Sequence, residues 1–77
     1  MELVEPIKLT EYMIGERFMT REGKVVCLTE WDSSFRHSAF FSDTTFRTID
    51  GEYYTTQPSG RDLIKHLPQS KYPEYYL

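Results

Sequence analysis

Cysteine is almost absent from this chain: Cys27 stands alone among 77 residues. No internal disulfide can form in a domain small enough to gain from one, which points to a reducing compartment. Glycine is scarce too, and Gly15, Gly23, Gly51 and Gly60 lie far apart, so no glycine-rich loop is available to cradle a phosphate. Runs of lysine or arginine are missing, and 9 basic residues against 12 acidic ones leave a net charge of −3. That balance lacks the electrostatic footprint of duplex DNA binding. The acidity is interspersed with Arg17, Arg21, Arg36, Arg47 and Arg61, unlike the dense carboxylate surface of a DNA mimic. Long apolar stretches are absent, and Met1-Glu2-Leu3-Val4-Glu5 is acidic where a secretory leader starts basic. A soluble cytoplasmic protein without membrane contact is expected.

Length sets a further limit. A domain near this size buries only about 60% of the surface its unfolded chain exposes, which leaves one thin core and no deep cofactor cavity. Most classical enzyme architectures are thereby disfavoured. Aromatic residues make up 16% of the chain and hydrophobic residues 39%, too much apolar surface for a disordered segment.

The turn-forming residues leave gaps of strand length between them, filled with Val, Thr, Phe, Tyr and Ile. Strands are expected at 16–20, 24–30, 35–41, 45–49 and 52–56. Arg21-Glu22-Gly23-Lys24 and Asp50-Gly51 both carry hairpin-turn chemistry. Trp31-Asp32-Ser33-Ser34-Phe35 makes a longer loop, whose large ring either tucks under the sheet or faces a partner. Ser59 has the character of a helix N-cap, with an acidic residue at Asp62 and cations at Lys65 and His66, so a short C-terminal helix is expected over 60–67, closed by Pro68. A short helix is also expected at 9–13. The fold expected is mainly β: a small five-stranded antiparallel meander, forming an SH3-like barrel or curled sheet, with a short C-terminal helix. Residues 1–14 form an N-terminal arm, 15–68 the β domain and 69–77 a tyrosine-rich tail. Alternation assigns the core to Phe18, Val26, Leu28, Phe40, Phe46, Ile49 and Tyr53, with Leu63 and Leu67.

Gly15, Thr20-Arg21-Glu22-Gly23-Lys24-Val25, Asp50-Gly51-Glu52-Tyr53 and Ser59-Gly60-Arg61-Asp62-Leu63-Ile64 follow one another in an ordered pattern. In order and spacing this resembles a class of small phage and prophage proteins, across residues 15–67. The chain departs from that pattern with Glu22 in place of Asp, in its loop at 31–36 and in its tyrosine-rich tail. What the resemblance implies is a phage or mobile-element origin and a small β fold, with no catalytic residues to carry over.

Candidate chemistry is sparse. Ser33, Ser34 and His37 with Asp32 or Asp43 supply the residue types of a nucleophilic relay, but no strand-turn-helix elbow or oxyanion loop accompanies them. Cys27, His37 and His66 lack the close paired spacings of a zinc site. Neither an enzyme nor a cofactor is expected. The surplus of rings is more informative, because exposed Trp, Tyr and Arg dominate protein–protein hot spots. The expected function is a non-enzymatic module that occupies the surface of a bacterial host protein, as an inhibitor of a host or defence factor. Its anchors would be Trp31, Phe35 and Arg36, with Tyr72, Tyr75 and Tyr76 as a second patch; homodimerisation is the competing use of the same rings. The alternative is a small single-strand nucleic-acid binder using Arg36, Arg47, Phe41 and Tyr54.

Overall fold

The computed structural model describes residues 7–77, so the expectation for the first six residues of the N-terminal arm lies outside the described residues. Five antiparallel strands form one curled, half-barrel sheet: β1 (Arg17–Thr20), β2 (Val25–Trp31), β3 (Ala39–Phe41), β4 (Phe46–Arg47) and β5 (Leu63–Leu67). Their order across the sheet is β4-β3-β2-β1-β5. The first four strands run as a meander, and the chain then crosses back so that β5 pairs with the free edge of β1.

The β1–β2 hairpin forms as its turn chemistry requires. Gly23 takes φ 86°, a left-handed conformation that costs glycine little. Around it, the Thr20 N–H donates to the Lys24 carbonyl at 2.8 Å and the Lys24 N–H to the Thr20 hydroxyl at 3.0 Å. Phe18 and Val26 are register partners and both face inward, with Leu28 beside them.

Strand β5 replaces the helix expected over 60–67. The capping chemistry is present but closes a turn: the Ser59 N–H donates to Asp62 Oδ2 at 2.9 Å, and the Asp62 N–H returns to the Ser59 carbonyl at 3.1 Å. Beyond that turn, a ladder along the open edge of β1 satisfies the backbone groups of a β-rich sheet, and tertiary pairing overrides a short helical preference. A register shift between Met19 and Thr20 separates the two leucines. Leu63 joins the main core cluster, whereas Leu67, also buried, falls opposite Arg17, on the face crossed by the C-terminal tail. The expected strand at 52–56 is also absent. The Asp50-Gly51 turn closes, with the Gly51 N–H donating to the Thr48 carbonyl, but the segment after it peels away from the sheet. There the Tyr53 N–H is taken by Asp62 Oδ1 at 2.9 Å. Gly51 is required at its position: its φ is 79°, and a Cβ would meet that of Leu63 at 3.0 Å.

Strand β3 is shorter than the expected 35–41, β4 shorter than 45–49, and the face they bury is the opposite one. The core holds Leu9, Phe18, Val26, Leu28, Ala39, Phe41 and Leu63, with Phe18 and Phe41 edge to face at 6.0 Å. Phe40 and Phe46 are cross-strand partners on the outer face, and Ile49 and Tyr53 lie outside the core cluster. Because strand side chains alternate, a register displaced by one residue exchanges the two faces completely. The residue that displaces it is Arg47, which pairs with Ala39 and is fully buried at 0% exposure. Its Nε donates to the Arg61 carbonyl at 2.8 Å, Nη1 to the Thr45 hydroxyl at 2.8 Å and Nη2 to Asp43 Oδ2 at 3.0 Å. The guanidinium carbon also stands 4.8 Å from the centre of the Phe41 ring. Arg47 thus ties edge strand β4 to the turn that leads into β5.

In the N-terminal arm, the helix expected at 9–13 is a single 3-10 turn at Glu11–Met13. Leu9 is buried, and its N–H donates to the Ile49 carbonyl at 2.7 Å. A second 3-10 turn, Pro73–Tyr76, orders the tail. No helix among the described residues is long and apolar enough to cross a membrane.

Asp43 is about one-third exposed, so water can answer its charge if Arg47 is removed; the loss falls on the buried partners of the guanidinium, such as the Arg61 carbonyl, at about 1–3 kcal/mol. Arg47→Met is accordingly expected to lower unfolding stability by about 1–3 kcal/mol in urea titrations. Burial raises the Asp43 pKa, but the hydrogen bonds and charge of Arg47, with those from Thr45, outweigh it and hold the carboxyl below its ordinary value of 3.8. A depressed folded pKa is stability fully present above the unfolded value and lost as pH falls through the folded one. The protein is expected to lose stability below about pH 4, and Asp43→Asn to flatten that acid limb.

Candidate interaction surface

The loop joining β2 to β3 is tied by hydrogen bonds among its own residues. Asp32 Oδ1 accepts from the Ser34 N–H at 3.0 Å and the Ser34 hydroxyl at 2.6 Å, which lowers the Asp32 pKa. The buried Ser38 hydroxyl donates to the Phe35 carbonyl at 2.6 Å, and the Asp32 N–H to the Ser38 carbonyl at 2.8 Å. His37 Nε2 is 3.0 Å from the Tyr53 carbonyl. A carbonyl only accepts, so Nε2 carries the proton in this contact.

Beside the exposed Asp32, Ser33 and Ser34, the loop presents Phe35, at 62% exposure, and Arg36 to solvent. Phe46, at 49% exposure, stands on the neighbouring edge strand and is held by Phe40, with ring centres 4.6 Å apart. Phe35, Arg36, His37 and Phe46 together line an almost wholly apolar recess of about 450 Å³.

Of the anchors expected from sequence, Phe35 and Arg36 meet at this recess, whereas Trp31 packs partly buried against the core as an inward-facing partner of Ala39. The tyrosines of the tail lie elsewhere, on the β1–β5 side. Tyr72 receives the Lys65 ammonium 4.8 Å from its ring centre, and the Tyr75 carbonyl accepts from Arg17 Nε at 2.8 Å. The Tyr76 hydroxyl accepts from the Arg17 N–H at 2.8 Å and donates to the Leu67 carbonyl at 2.6 Å, bridging the ends of β1 and β5. Tyr76 therefore serves as a structural clasp.

Two residues assigned to single-strand binding require correction. Arg47 and Phe41 are both fully buried, because the displaced register turns them into the core, and neither can meet a phosphate or stack on a base. Tyr54 is exposed and packs edge to face on Tyr53, while Arg61 Nη1 donates to the Tyr53 hydroxyl at 2.9 Å. Of the candidate relay, Ser34 is bonded to Asp32, whereas Asp43 is bonded to Arg47 and His37 to a backbone carbonyl. Likewise Cys27 Sγ accepts from Arg17 Nη1 at 3.0 Å, and His66 meets Glu16 at 2.6 Å while stacking on Phe18. Among the described residues no group of three or more His, Cys, Asp or Glu is placed to hold a metal ion.

Sequence reasoning missed Phe46, because alternation counted from the wrong partner put it in the core. The available signal was Asp43-Thr44-Thr45-Phe46-Arg47, where a carboxylate and a hydroxyl precede an arginine within one tight turn. No protein-family model, curated protein or solved structure matches the chain.

Tyr76 titrates above its ordinary value of 10.0, chiefly because it is partly buried; the charges of Glu16 and Cys27 add to this, and the N–H and charge of Arg17 oppose it. A raised folded pKa is stability fully present below the unfolded value and lost as pH rises through the folded one. Tail docking is expected to weaken above about pH 10, seen as faster proteolysis at Lys71. Tyr76→Phe should lose about 1 kcal/mol of stability at neutral pH together with this part of the alkaline dependence.

Proposed function

We propose that the protein is a non-enzymatic binding module that acts by occupying the surface of another protein. The observation that carries this reading is the recess itself: Phe35, on a loop tied by its own hydrogen bonds, and Phe46, on edge strand β4, stand exposed around an apolar hollow. Large aromatic side chains left in water favour burial against a partner, and a preformed loop keeps the ordering cost of that burial low. The resemblance to phage and prophage proteins supports a bacterial host protein as the partner, with inhibition or redirection of a host or defence factor as the use. Single-strand binding draws less support, since the burial of Arg47 and Phe41 leaves only Arg36 and Tyr54 of its assigned surface.

The test is affinity capture from nuclease-treated bacterial lysate with wild type and with the Phe35→Ala/Phe46→Ala variant. Wild type is expected to retain a stoichiometric protein that the variant, folded by circular dichroism, recovers at least about tenfold less well. Equal recovery by the folded variant, or eluates holding nucleic acid alone, would overturn the reading.

A further inference from the structure

The chemistry of the occupant follows from Arg36. Arg17, Arg21, Arg47 and Arg61 all spend their guanidinium groups within the fold: on backbone carbonyls, on Asp62, on Asp43 and on the Tyr53 hydroxyl. Among the described residues Arg36 has no hydrogen bond and no ion pair, although the chain carries more acidic than basic residues. The carboxylate in its own loop, Asp32, is committed to Ser34. An unpaired planar cation thus borders a recess whose other walls are the rings of Phe35, His37 and Phe46.

Resting on the occupancy reading, we propose that this recess takes a segment of the partner protein in which a large apolar side chain lies beside a carboxylate. The apolar side chain would fill the hollow, whose volume of about 450 Å³ is in the range of small ligand-binding sites. The carboxylate would meet Arg36, whose fork of N–H donors suits a bidentate contact and holds its charge at any physiological pH. An ion pair formed beside apolar walls is less screened than one in open water. The recess therefore selects the charge of the occupant as well as its bulk.

Blocked hexapeptides Gly-Ser-Phe-Glu-Ser-Gly and Gly-Ser-Phe-Lys-Ser-Gly, titrated into the 15N-labelled full chain to millimolar concentration, test this directly. The glutamate peptide is expected to shift the amide signals of Phe35, Arg36, His37 and Phe46, and to bind roughly tenfold tighter than the lysine peptide at low salt. Arg36→Glu should reverse that preference, Arg36→Lys should keep its sign, and Phe46→Ala should abolish binding of both peptides. Equal binding of the two peptides, an unchanged preference in Arg36→Glu, or no shift at these residues would overturn the assignment. Loss of lysate capture in Phe35→Ala/Phe46→Ala without any charge preference would sink the carboxylate contact alone and leave the occupancy reading standing.

Discussion

A guanidinium shut away from water must find acceptors on every side, and Arg47 finds them only when the two ends of the sheet approach each other. Asp43 and Thr45 come from the turn that precedes it, whereas the Arg61 carbonyl comes from the turn before β5. A half-barrel of this size has edges to manage and little core to close it. Here a network around one buried guanidinium performs the closure that a larger apolar interior would perform elsewhere. Such a network adds less net stability than well-packed apolar side chains of the same volume, but it tolerates few alternative registers.

The register chosen by Arg47 also shapes the outside of the molecule. Once Ala39, Phe41 and Arg47 face inward, Phe40 and Phe46 must face outward, because adjacent strand residues point to opposite faces. The exposed aromatic wall is therefore a consequence of burying the arginine. Across the gap from Phe46, the β2–β3 loop bonds Asp32 to Ser34 and the Ser38 hydroxyl to the Phe35 carbonyl, and leaves Phe35 and Arg36 on display. Core and candidate site are two faces of one register decision. At the far side of the sheet, Tyr76 makes a second clasp by joining Arg17 to Leu67.

Much of this architecture was legible before any coordinates. Glu22-Gly23 announces its hairpin, and Asp50-Gly51 its turn, because few other residue pairs take those backbone angles cheaply. Residues 24–30 read as a strand by composition, and the strand formed is Val25–Trp31. Phe35 and Arg36, proposed as anchors, are exposed, since a loop of aspartate and serine offers little to cover them. The assignments that failed share one cause. Residues 60–67, the face of β3 and the place of Trp31 all depend on which strand lies alongside.

By itself the sequence determined the scale of the domain, its β character, the position of its tight turns and the lack of a clustered metal or phosphate motif. These follow from local backbone preferences and from composition, which act within a few residues. Only the tertiary structure decided that Leu63 to Leu67 would be a strand, that Arg47 would be buried while Phe46 stayed exposed, and that Tyr76 would bind inward. Each of those outcomes pairs residues far apart in the chain, such as Thr20 with Leu63, Arg47 with Arg61 and Arg17 with Tyr76. A hydrogen bond or ion pair between distant residues depends on where both ends lie in space, and neither end carries that information alone.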